Sequence, residues 1–162
     1  MKRKQKLLLS LVVVTIIFSI IAIQPFIASE EVVYEDVVHG GHSGVLERIE
    51  QRITDLETWE NLWAEMESIC FPVDPVPIIN FSISVLFVVF QGERTTSGYR
   101  TTIMRIILTM SEYVVFVDEV HPGSEGIRLP VHTQPYHIVV VNSTQNLPVR
   151  FVYNITTSDY NS

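Results

Sequence analysis

After Lys6 the chain contains no lysine, and in 162 residues it has one cysteine. Without lysine, the sequence beyond residue 6 sets seven arginines against eighteen acids, a formal charge of −11. That balance excludes a nucleic-acid groove or an anionic lipid surface as a partner, because both are gripped by basic patches. It suits solubility in a salty exterior, and equally a basic partner. The lone Cys70 excludes an internal disulfide, so packing must hold the domain together. In Ser68-Ile-Cys-Phe71 it reads as a small buried hydrophobe.

Catalytic signatures are missing as well. Gly41-His-Ser-Gly-Val45 has valine where a nucleophile elbow needs its second glycine. Gly92-Glu-Arg-Thr-Thr-Ser-Gly98 lacks the Lys-Ser/Thr of a phosphate-binding loop. There is no H-E-x-x-H, no paired C-x-x-C and no aspartate-rich calcium loop. His39 with His42, and His132 with His137, come nearest to metal-ligand pairs. Neither pair has a third ligand at a recognised spacing, so no metal or other cofactor is expected. Catalysis by a side-chain nucleophile needs a base and a group that orients it, and that trio is not in evidence. The expectation is a binding protein, not an enzyme.

What the chain does have begins with four basic residues within Met1–Lys6 and an uninterrupted apolar run over residues 7–23. A basic start followed by an apolar core is the pattern of a secretory signal. At 17 residues the run is also near the lower length for a spanning helix. Residues 1–28 are therefore read as either a signal peptide, with Ala28-Ser29 the best cleavage candidate, or an uncleaved membrane anchor. Both place the remainder outside the cytoplasm, exposed on the membrane's outer face or secreted, with contact to the membrane only through this segment. The rest, about 130 residues, is one domain's worth of chain. Asn80, Asn142 and Asn154 begin Asn-x-Ser/Thr sequons, which export would open to glycosylation.

Residues 29–43 are acidic and then glycine-rich, and read as a spacer; a globular domain over 44–157 and a short tail over 158–162 follow. Val45, Ile49 and Ile53 fit a helical stripe and one face of a strand equally well. Thr54 and Glu57 have the spacing of a capping box, and Leu56, Trp59, Leu62, Trp63 and Met66 form an apolar helical stripe. Asp55, Glu57, Glu60, Glu65 and Glu67 are assigned to water. The two tryptophans are expected to pack on a sheet. Three prolines within Phe71–Pro77 end the helix. Val85–Phe90, apolar at every position, reads as a central strand, Tyr99–Thr109 with Tyr113–Val120 as a hairpin, and Tyr136–Asn142 and Val149–Ile155 as further strands. The fold class is α+β: one amphipathic helix packed on a mainly antiparallel sheet or sandwich of about five to six strands.

Two loops carry polar and aromatic residues suited to contact. One is Gln91–Tyr99, with Arg94, Thr95, Thr96, Gly98 and Tyr99; the other is Val131–His137, with Thr133, Pro135, Tyr136 and His137. With Trp59-Glu-Asn-Leu-Trp63, Ile79-Asn-Phe81, Val85–Phe90, Gln91-Gly92, Thr96-Ser-Gly-Tyr99 and Thr133-Gln-Pro-Tyr-His137 ahead of Val139-Val-Val141, the order and spacing over residues 44–155 resemble the PrcB-like C-terminal domain of protease-complex stabilising subunits. Asn80 stands where that family commonly has an acid, and Ser97 where a second glycine is usual. The resemblance implies an exported accessory domain that associates with a secreted protease. Thr95-Thr-Ser-Gly-Tyr99 and Gln134-Pro-Tyr136 are also similar to the two loops of chagasin-type protease inhibitors, though with an extra residue and with Gln134 for arginine. A surface-anchored structural or adhesion domain is the third class open to the sequence.

Overall fold

The computed structural model describes residues 29–124 and 128–158; the segment read from the sequence as a signal or anchor and the last four residues of the tail lie outside them. Among the described residues no helix is long and apolar enough to cross a membrane. Among the described residues the strands are β1 Glu30–Val32, β2 Tyr34–Gly40, β3 Arg48–Ile53, β4 Val85–Gln91, β5 Arg100–Leu108, β6 Tyr113–Pro122, β7 Tyr136–Val141 and β8 Val149–Ser158, with one α-helix, α1, over Leu56–Met66. They form two four-stranded sheets, ordered β1-β5-β6-β8 and β2-β7-β4-β3. All pairings are antiparallel except β6 with β8, which is parallel.

The apolar run Val85–Phe90 explains the layering. Every residue of β4 is buried, so both faces of its sheet must be covered. Leu86, Val88 and Phe90 meet Trp59, Leu62, Trp63 and Met66 of α1 on one face. Val85, Phe87 and Val89 meet Ile103, Ile106, Tyr113, Val115 and Val117 of the second sheet on the other. The result is three layers: helix, sheet, sheet. The described residues are mostly β-sheet with one short helix packed on it, as expected of one helix on a sandwich, but the strands number eight rather than five or six. Two of the additional strands, β1 and β2, lie in the stretch read as a spacer, where Glu30, Glu31, Glu35 and Asp36 mask an edge-strand pattern. Position 53 settles the ambiguity of Val45–Ile53, since Ile53 is buried against the helix from the end of strand β3.

Helix α1 starts one residue later than the capping-box spacing implies. Asp55 is the N-cap: one carboxylate oxygen accepts from the Thr58 amide at 2.8 Å, the other from its hydroxyl at 2.9 Å. Leu56, assigned to the apolar stripe, is exposed, while Trp59, Leu62, Trp63 and Met66 are buried. The tryptophan N–H groups donate to the proline-rich segment, Trp59 to the Pro77 carbonyl at 2.9 Å and Trp63 to that of Asp74 at 3.0 Å. Glu67, assigned to water, is buried instead, where its carboxylate accepts from the Asp74 amide at 3.1 Å. Cys70 is half-buried, not enclosed as read from its apolar neighbours.

Candidate protein-binding surface

The two loops singled out in the sequence meet at one end of the sheet pair. Arg94 and Thr133 form an isolated antiparallel bridge, each amide donating to the other's carbonyl at 2.8 and 2.9 Å. The Thr133 hydroxyl donates to the Thr96 carbonyl at 3.1 Å. The Ser97 amide donates to the Leu129 carbonyl, and the Leu129 amide to the Ser97 hydroxyl, both at 3.0 Å. Lower down, the Gln91 amide donates to the Pro135 carbonyl at 2.9 Å. Gly92 and Gly98 take φ of +77° and +99°. Ser97, at the position usually glycine in the resembling family, keeps a negative φ, so the turn needs its freedom at Gly98. A Cβ on Gly98 would also stand 3.0 Å from the Pro122 side chain.

Beneath the bridge lies a polar plug closing the apolar interior. Glu119, 2% exposed, accepts from the Arg48 guanidinium at 2.8 Å and from the Gln91 side-chain Nε2 at 3.2 Å. Desolvation disfavours the charged Arg48, but its carboxylate partners Glu50 and Glu119 outweigh that and raise its pKa. The Arg94 guanidinium donates to the Gln91 carbonyl at 2.9 Å and lies over the Tyr99 ring, which packs against His121. The Gln91 Oε1, Arg94 Nε and Thr101 Oγ1 atoms are buried and have no hydrogen-bond partner among the described residues.

The surface left to a partner differs from the residue set read from the sequence. Thr95 is exposed, and Arg94, Thr96, Gly98 and Tyr99 are partly so. Thr133 and Pro135 are buried, their role being to hold the loops together. Tyr136 and His137 do not belong to the surface at all, because they are the first two residues of β7, where alternation sends one ring to each buried face. Tyr136 stacks on Phe90 under the helix side, and burial raises its phenol pKa. Val131 and His132, which open the second loop but are not among its expected contact residues, are exposed, as is Leu129 just before it. His132 Nδ1 lies 3.0 Å from a Glu93 carboxylate oxygen, tying the two loops across their outer rim.

His137 faces the gap between the sheets. Its Nδ1 accepts from the Ile103 amide at 2.8 Å, so in the neutral ring the proton sits on Nε2, 3.1 Å from Asp36. Tyr34 donates to the Ile103 carbonyl at 3.0 Å. These side chains satisfy β5 where β1, which pairs only with residues 106–108, no longer covers it. Asp36, His39 and His137 bring three potential ligand atoms within 4.8 Å of one another. A metal on Nε2 would need the ring proton on Nδ1, opposed to the Ile103 N–H, so the geometry favours a hydrogen-bonded His–Asp pair over a metal centre. Burial lowers the His137 pKa, against the opposing hydrogen bond and charge of Asp36.

Of the three sequons, Asn142 and Asn154 lie at the end of β7 and on β8, and Asn80 precedes β4; all three are exposed.

The matched segment of the chain covers these loops. Residues 85–142 match the PrcB C-terminal family model. The PrcB C-terminal match runs from β4 through β7 and so contains both loops, their bridge and His137. The Trp59–Trp63 and Ile79–Phe81 parts of the resemblance fall outside it. No curated protein and no solved structure matches the chain.

Proposed function

We propose that the protein is an exported, non-enzymatic accessory domain that binds a secreted protease and prolongs its lifetime. The observation that carries this reading is the Arg94–Thr133 bridge, which fuses two loops of the PrcB-matched segment into one surface. Thr95, Tyr99, Leu129, Val131 and His132 supply a mixed polar and apolar contact, and aromatic and arginine side chains dominate interfaces of this kind. Export rests on the basic start and apolar run over residues 7–23. The buried Tyr136 weakens the inhibitor alternative, since a wedge built on Gln134-Pro-Tyr136 has no aromatic to insert into a cleft. The test is to purify the full chain with its exported proteases. The expected result is a stable complex that survives washing and is lost in a Leu129→Asp/Val131→Asp variant with unchanged melting temperature. Failure to co-purify with any exported protease would overturn the reading.

A further inference from the structure

A sheet's edge strands offer unpaired N–H and C=O groups to any passing chain, and proteins normally blunt them by shortness, charge or bulges. Three of the four edges here are blunted. Strand β1 has three residues, two of them Glu30 and Glu31. Strand β2 carries Glu35, Asp36 and a register break between Asp36 and Val38. Strand β3 alternates Arg48, Glu50 and Arg52. Even the stretch of β5 left open beyond β1 has its Ile103 groups taken by His137 and Tyr34.

Strand β8 has none of these devices. It is ten residues long, and its one charge, Arg150, is held by a two-pronged pair with Glu112. Its register with β6 fixes which groups are free. The Tyr113 amide donates to the Pro148 carbonyl and the Gly123 amide to that of Ser158, so even-numbered residues face β6. The backbone groups of Val149, Phe151, Tyr153, Ile155 and Thr157 therefore point outward, where no described strand lies. Ile155 is 58% exposed.

We propose that β8 is where two copies of this chain pair, antiparallel, about a two-fold axis at Tyr153. The occupant is a second copy because the strand is complementary to itself. With odd residues opposite odd, Tyr153 meets its equivalent, Phe151 covers the exposed Ile155, and Val149 meets Thr157. On the other face Arg150 lies opposite Thr156 and Val152 opposite Asn154, so no like charges are opposed. Residues 151–158 are uncharged in a chain whose acidity elsewhere drives copies apart. Pairing joins the two β8 sheets into one eight-stranded sheet. Strand β8 lies beyond the PrcB-matched segment, so this inference stands independently of the protease reading.

The test is amide hydrogen exchange on the full chain in detergent micelles, at high and low protein concentration, with the mass followed by sedimentation. A dimer is expected at high concentration, with slow exchange at Phe151, Tyr153 and Ile155 that becomes fast on dilution. The amides of Val152, Asn154 and Thr156, bonded to β6, should stay slow in both. Ile155→Pro removes an outward N–H without breaking the β6 ladder and should abolish the dimer. A chain monomeric at every concentration overturns the proposal. So does a dimer, for instance one held by residues 7–23, in which the odd-numbered amides exchange fast, or one that survives in folded Ile155→Pro. If Ile155→Pro does not fold, the exchange pattern of the unaltered chain decides alone.

Discussion

Replacing His137 with phenylalanine distinguishes a structural ring from a binding one. The side chain is buried between the sheets, and phenylalanine fills much of its volume while removing both hydrogen bonds. The larger loss is on Ile103, whose amide is left buried without an acceptor, a defect costing about 1–3 kcal/mol. The loss at Asp36 is small, because its side chain is 54% exposed and water replaces the histidine, as in surface pairs worth about 0–1 kcal/mol. The expected total is about 1–3 kcal/mol, read by urea unfolding, with partner binding unchanged. The pH dependence gives a second reading. Burial lowers the folded-state pKa of His137 below its unfolded value, which is about 6.5. The unfolded chain therefore takes up the proton first: the stabilisation is complete above the unfolded pKa and is lost as pH falls through the folded one. His137→Phe should lose that part of the acid sensitivity. A variant with unaltered stability and an unaltered pH profile, but with partner binding lost, would refute the assignment.

Trp59→Ala should cost about 3–5 kcal/mol in chemical denaturation, since the ring is wholly buried, packs edge-on against Trp63 and holds the Pro77 carbonyl. Gly98→Val should reduce partner affinity through a distorted loop, with structural change confined by NMR to residues near Gly98 and Pro122, because valine resists φ of +99° and meets the Pro122 side chain. Tyr99→Ala should weaken binding with little change in melting temperature, whereas Tyr136→Ala should lower the melting temperature, as one ring is partly exposed and the other is stacked in the core on Phe90.

The parts of this fold legible in the sequence are those where burial leaves an uninterrupted trace. Val85–Phe90 reads as a strand covered on both sides, and the Trp59, Leu62, Trp63 and Met66 spacing as the side of a helix packed on a sheet, and both are so in the structure. Strands β1 and β2 were hidden because edge strands carry charge, and Glu30, Glu31, Glu35 and Asp36 give an acidic stretch the look of a linker. The two loops stand out in the sequence by their shared polar-aromatic character and by their match to the two marked loops of the resembling family, but the division of labour within them does not. Thr133, Tyr136 and His137 have the composition of a contact loop, yet β7 begins at Tyr136, and strand alternation then buries both rings. Leu129 and Val131 carry no sequence mark of contact residues, because isolated exposed apolar residues give no periodic signal. Asp36, His39 and His137 come together only through the β2–β7 register, across about a hundred residues of sequence.

The central claim is that this surface stabilises a protease without blocking it. The decisive measurement follows the half-life and the turnover of a co-purifying exported protease together, with the full-length protein present or absent. The account predicts a longer half-life at unchanged turnover, with the gain lost in Leu129→Asp/Val131→Asp. Turnover suppressed at stoichiometric concentration, or a half-life that ignores the protein altogether, would contradict it.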